Sequence, residues 1–180
     1  MKGFHNIQGR VSLAIFTPGL GRERMAATFE NLVVDEHTEI LARIMSGLPG
    51  ITHVAFEFTN SAPESVDEAL VDDSASIYDS QPEGADIIIA PLIARPLLER
   101  ISSTASRVTY TATTAAAGGT GVFGLPWGDG SYLTHMGLLA VDGGYGSGRR
   151  LFSRTRVSPT GIAKPSGFDI SAHWQITFQS

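Results

Sequence analysis

The chain has 180 residues, 42% of them hydrophobic and 17% charged, enough to bury one real core, and a single domain over 1–180 is expected. Cysteine is absent, which excludes a disulfide scaffold and a thiolate metal site. The net charge of −5, the scattered basic residues and the lack of an apolar run of membrane-spanning length argue against nucleic-acid and membrane partners. The opening "MKGFHNIQGR" lacks the apolar stretch of a signal peptide, so synthesis and retention in the cytoplasm until assembly are expected.

The charge is uneven along the chain. Residues 1–94 hold 5 Lys/Arg against 14 Asp/Glu, and residues 95–180 hold 8 against 4. Such polarity suits contact between copies of one protein or with a charged partner.

In chain order, "NIQGRVSLAIF" alternates Ile7, Val11, Leu13 and Ile15 on one face and reads as a strand. After a "TPGLGRE" turn, "RMAATFENLVV" is its hairpin partner. "DEHTEILARIMSGLPG" then predicts a helix near residues 35–46. Asp35 is its N-cap, Ile40, Leu41, Ile44, Met45 and Leu48 form an apolar face, and Gly47 and Pro49 mark its end. "ITHVAFEF" is a strand opposing Ile51, His53, Ala55 and Glu57 to Thr52, Val54, Phe56 and Phe58.

Between Arg43 and Arg95 there is no basic residue, and 60–86 reads as an acidic loop or arm. In "DIIIAPLIARPLLERI", Pro91 and Pro96 rule out one long helix or central strand. "RVTYTATTA", "YLTHMGLLAV" and "RRLFSRTRV" read as strands, the last two joined by a "DGGYGSG" hairpin turn. "GGTGVFGLPWGDGS" is a Gly-rich connection. The closing "GFDISAHWQITFQS" alternates without a break and reads as a central strand. The fold class expected is mainly β, a β-sandwich or jelly-roll-like architecture with one packed α-helix near residues 35–46.

Chemical motifs are sparse. Gly119, Gly121 and Gly124 make a formal GxGxxG, but Pro126 and Trp127 follow where a dinucleotide site needs a helix, so a flexible connection is the better reading. His53, His135 and His173 would make a metal site only if the strands bring them together; solvent-face or satisfied core histidines are the expectation. Asp72, Asp73 and Asp79 match no EF-hand spacing. No catalytic residues, cofactor or metal are therefore expected. On a regular strand Arg150, Arg154 and Arg156 share a face opposite Leu151, either as a stripe for acidic residues of a neighbouring subunit or as solvated edge-strand arginines.

The order of these parts resembles small tailed-bacteriophage virion proteins. There an "NLV" strand end, an "LLA-(R/x)-LL-(A/S)-G" helix and an "ITH-(I/V)-A" strand follow one another, as "NLVV", "EILARIMSG" and "ITHVA" do here. A "ΦΦAR" segment, a "V-T-(Y/F)-T-A-T" strand, an "LF-(A/S)-R-T" strand and a closing "Φ-x-W-x-(I/L)-T-F" correspond to "LIAR", "VTYTAT", "LFSRT" and "AHWQITF". The arm at 60–86 and "THMGLL" depart from the pattern. The resemblance implies a non-enzymatic virion structural protein, made in the host cytoplasm, in capsid decoration or in tail, baseplate or fibre attachment. Its partners would be sister copies and other virion proteins. Candidate interaction residues are Asp67, Glu68, Asp72, Asp73 and Tyr78 in the arm, Trp127 and Tyr145 in Gly-rich loops, and Arg150, Arg154 and Arg156. The alternatives are a carbohydrate- or ligand-binding β-sandwich module stacking sugars on Trp127, Tyr132 and Tyr145, and a metal enzyme using the three histidines.

Overall fold

The computed structural model describes residues 6–16, 23–33, 44–47, 50–59, 85–117, 130–141, 149–157 and 160–179. It is mainly β. Ten strands are described: β1 (Asn6–Phe16), β2 (Glu23–Val33), β3 (His53–Thr59), β4 (Ala85–Pro91), β5 (Leu97–Arg100), β6 (Ala105–Thr113), β7 (Tyr132–Val141), β8 (Arg149–Arg156), β9 (Ile162–Ala163) and β10 (Asp169–Gln179). One helical turn, α1 (Thr114–Ala117), follows β6.

All pairings are antiparallel, in the order β4-β3-β7-β8-β2-β1-β10-β6-β5, with β9 beside β7. Strand β2 links two sheets. Its Glu23–Asn31 portion pairs with β1, and Leu32 and Val33 pair with Arg154 and Ser153 of β8. On the other side Leu92 bridges to Ala112 and the Ile93 N–H donates to the Thr111 carbonyl at 2.9 Å. One apolar core is shared between the sheets. Val11, Leu13 and Ile15 of β1 and Ile170, Ala172, Trp174 and Ile176 of β10 meet Val54, Phe56 and Phe58 of β3 and Met136, Leu138 and Ala140 of β7.

These strands form where alternation demands a half-buried ribbon. In β10 the even-numbered Ile170, Ala172, Trp174 and Ile176 are buried, while His173 between them is exposed. The strand is central, as the sequence predicts, paired along its length with β1 and over Ser171–Gln179 with β6. The break at the two prolines is also found: β4 ends at Pro91 and β5 begins after Pro96. Strands β3 and β7 are buried on both faces, which hides the period of two in "THMGLLAV". On their second face Ala55, Ile87, Leu139 and Leu151 form a smaller apolar cluster.

One expectation falls mostly outside the described residues and another needs correction. The packed helix near 35–46 is not seen among the described residues. Residues 35–43 of it lie outside them; of its apolar face Ile44 is 50% and Met45 88% exposed. Ile44 lies against Gly50, where a Cβ would fall 2.8 Å from its Cγ1. The helix end itself is as expected, with Gly47 at φ 81° and its N–H bonded to the Ile44 carbonyl at 3.1 Å. The acidic stretch also ends earlier than 86, because Ala85 and Asp86 already pair with Thr59 and Phe58.

A hydroxyl closes one end of the core. The β6–β10 ladder stops at Thr113↔Ser171, and the Thr114 Oγ1 takes the next amide, Ile170 N–H, at 3.1 Å while donating to Asp169 Oδ1 at 3.0 Å. Near β9 a glycine is required: Gly161 has φ 71°, and a Cβ there would sit 3.2 Å from the Leu133 carbonyl oxygen.

Candidate functional site

Asp67, Glu68, Asp72, Asp73, Tyr78, Trp127 and Tyr145 lie outside the described residues, as do Asp79 and the GxGxxG glycines. Tyr132 is not a loop residue. It opens β7, half-buried, opposite Thr59 and Ala163.

The arginine stripe is rearranged by a bulge. The β7–β8 register shifts between Leu138 and Leu139, so Leu139 faces Leu151 while Leu138 faces Ser153, leaving Phe152 as the extra residue. One inserted residue reverses the parity of everything beyond it. Arg150 therefore takes the position opposite Ala140, whereas Arg154 and Arg156 stand opposite Gly137 and His135, on the parity of Leu139 and Leu151. The three arginines do not share a face, and Leu151 is on the side of Arg154 and Arg156. Nor is β8 an edge: β7 and β2 flank it. Arg154 and Arg156 are half-buried.

The same register assembles a row that sequence reasoning missed. Glu57 of β3 stands opposite His135 of β7, which stands opposite Arg156 of β8. The carboxylate and imidazole are 3.6 Å apart, Oε1 to Nδ1, at 3% and 1% side-chain exposure. That distance is an ion-pair separation and too long for a hydrogen bond. Among the described residues Glu57 Oε2 is buried without a hydrogen-bond partner. The signal available in the sequence was an acid and a histidine, each inside an otherwise apolar strand. Such groups are placed in cores only beside polar neighbours.

The three histidines are not brought together. His173 is exposed on β10, with Nδ1 3.4 Å from Thr111 Oγ1, and it belongs to the sheet opposite β3 and β7. His53 lies 2.8 Å from Thr52 Oγ1, which also accepts the Val141 N–H at 3.0 Å. Among the described residues no group of three or more His, Asp or Glu could hold a metal ion. A void between the sheets, lined by Leu13, Ile15, Ala27, Leu133, Ile162 and Ile170, measures about 10 Å³, the space of a single water.

The surface that stands out is apolar. Among the described strands β5 ends the sheet order, and all four of its residues are exposed. Leu97 is 59% and Leu98 69% exposed, with Ile93 at 53% and Ile101 at 47% beside them. Edge strands are ordinarily shortened, charged or covered, because their free amides and carbonyls template pairing with another chain. Four exposed large apolar residues on one edge mark a place built for contact.

No model of a known family, no curated protein and no solved structure matches the chain.

Proposed function

We propose that this chain is a non-enzymatic structural subunit of a tailed-bacteriophage virion, acting by protein–protein assembly at the capsid surface or in tail, baseplate or fibre attachment. The observation that carries the assembly part is the open, apolar β5 edge, with Leu97 and Leu98 more than half exposed. A protein whose task was only to enclose a small ligand would gain nothing from that edge and would carry its aggregation risk. The virion part rests on the ordered resemblance of "NLVV", "ITHVA", "VTYTAT", "LFSRT" and "AHWQITF" to phage structural proteins. In this reading the two sheets form a β-sandwich of jelly-roll type, and sister copies or other virion proteins cover the edge.

The test is quantitative mass spectrometry of purified particles from the source, counting this chain against the major capsid subunit. A ratio near one indicates shell decoration, and a reproducible ratio far below one indicates a tail, portal or fibre position. Absence from clean particles refutes the virion reading.

A further inference from the structure

Strand β5 offers a short edge that is apolar at one end and basic at the other. It pairs with β6 from Leu97↔Thr109 to Arg100↔Ser106, and the Ile101 N–H donates to the Ala105 carbonyl at 3.0 Å. In an antiparallel ladder alternate residues aim both backbone groups at the same neighbour. Ile101 aims at β6, so Leu97 and Glu99 do too, and the amides and carbonyls of Leu98 and Arg100 aim at the open side. Glu99 stands opposite Arg107 of β6, which offsets its charge within the sheet. Arg100, whose Nε donates to the Ser102 carbonyl at 3.3 Å, leaves the edge basic beside two exposed leucines. Such an edge takes an added strand that brings an apolar residue to Leu98 and a carboxylate to Arg100.

The chain itself contains that strand. Residues 60–84 hold seven carboxylates and no basic residue. Thr59 and Ala85, which flank them, are paired, so both ends of this 25-residue segment are held at the β3–β4 hairpin. Leu70, 11 residues beyond Thr59, can reach up to about 36 Å from it. Laid antiparallel on β5, "EALV" (68–71) sets Glu68 opposite Arg100, Ala69 opposite Glu99, Leu70 opposite Leu98 and Val71 opposite Leu97. The other acidic residues of the segment lose this match. Starting from Asp67 sets Glu68 against Glu99, and like charges directly opposite destabilise a sheet. None of the remaining five is followed by apolar residues at both the second and the third place.

We propose that residues 68–71 of one copy add to β5 of the next as an antiparallel strand, in a head-to-tail contact between copies of this chain. Donor and receiver lie on the two sides of the charge boundary: 5 Lys/Arg against 14 Asp/Glu in residues 1–94, and 8 against 4 in 95–180. The two surfaces differ, so the contact is heterologous and continues into a ring or a filament. It rests on the assembly reading for its setting and specifies the partner of the β5 edge.

Because the natural chain has no cysteine, single cysteines report the pairing. Leu70 and Leu98 would form a hydrogen-bonded pair, whose Cα separation of about 5.5 Å falls within disulfide range. Mixing purified full-length Leu70→Cys with Leu98→Cys under mild oxidation should yield a covalent dimer that neither forms alone. Sedimentation equilibrium across the micromolar range should show association that Arg100→Glu weakens roughly tenfold, an attractive pair having become repulsive. Adding Glu68→Arg to Arg100→Glu should restore it. Asp79→Arg, an equal change of charge outside the paired residues, should leave association within about twofold of the natural chain. A natural chain that stays monomeric throughout overturns the proposal. So does a Leu70→Cys, Leu98→Cys double variant that cross-links only within one chain, or an Asp79→Arg variant weakened as much as Glu68→Arg. Circular dichroism of each variant separates a lost contact from a lost fold. A monomer still counted in particles sinks this inference and leaves the virion reading standing; a chain that cross-links between positions 70 and 98 but is absent from particles does the reverse.

Discussion

Replacing Thr114 by Val tests whether one hydroxyl closes the β10 end of the core. Thr114 is 2% exposed, and its Oγ1 both accepts the Ile170 N–H at 3.1 Å and donates to Asp169 Oδ1 at 3.0 Å. Valine keeps the side-chain volume and abolishes both bonds. Ile170 is 1% exposed, so its amide is left without water, at a cost of about 1–3 kcal/mol. Asp169 is half-buried and regains part of its hydration, adding about 0.5–1 kcal/mol. A total near 2.5 kcal/mol should lower the urea midpoint by about 1.2 M if the slope is about 2 kcal/mol per M. The thermal midpoint should fall by roughly 5–10 °C for a chain of this size. Urea unfolding followed by far-ultraviolet circular dichroism reads the effect. Thr114→Ser, which retains the hydroxyl, should lie within about 1 kcal/mol of the natural protein because it loses only a methyl group. The reasoning fails if Thr114→Val costs less than about 0.5 kcal/mol, the scatter of ordinary surface changes, or if the serine variant is as unstable as the valine one.

Four other outcomes are expected. Burial pushes the Tyr110 hydroxyl up from 10.0 to about 12, so the folded state favours its neutral form. The resulting stability is intact below pH 10 and is lost as pH rises from 10 to about 12. Tyr110→Phe should flatten that part of the stability–pH curve. Gly161→Ala should cost about 1–2 kcal/mol, since its φ of 71° is unfavourable for a side chain; a neutral result would mean that the β9 turn relaxes freely. His135→Leu leaves the Glu57 carboxylate buried and should cost about 3 kcal/mol, whereas Glu57→Leu with His135→Leu should recover most of the loss in a double-mutant cycle. Leu138→Ala, at a fully buried position, should cost about 2–5 kcal/mol in the same unfolding assay.

Much of the fold was legible because strand signals are local. The bounds of β1 and β7 coincide with "NIQGRVSLAIF" and "YLTHMGLLAV", whose turn residues and β-branched or apolar runs identify them without any partner. Most of the helix expected near 35–46 lies outside the described residues, and of its apolar face Ile44 and Met45 are exposed. Spacing describes a face, and burial needs a second surface. The arginine stripe misled. A parity argument over Arg150, Arg154 and Arg156 holds only on an unbroken strand, and the bulge at Phe152 is set by pairing with β7, not by "RRLFSRTR" itself.

The sequence by itself determined where the strands lie, that Pro91 and Pro96 interrupt them, and that the last strand has one apolar face, since φ/ψ preference and side-chain alternation act within a few residues. Only the tertiary structure decided which strands are neighbours. It placed β10 between β1 and β6, brought Glu57 against His135 across a ladder, and left "LLER" on an open edge. Those outcomes depend on hydrogen bonds between segments distant in the chain. No local pattern encodes which of ten similar ribbons will supply the partner.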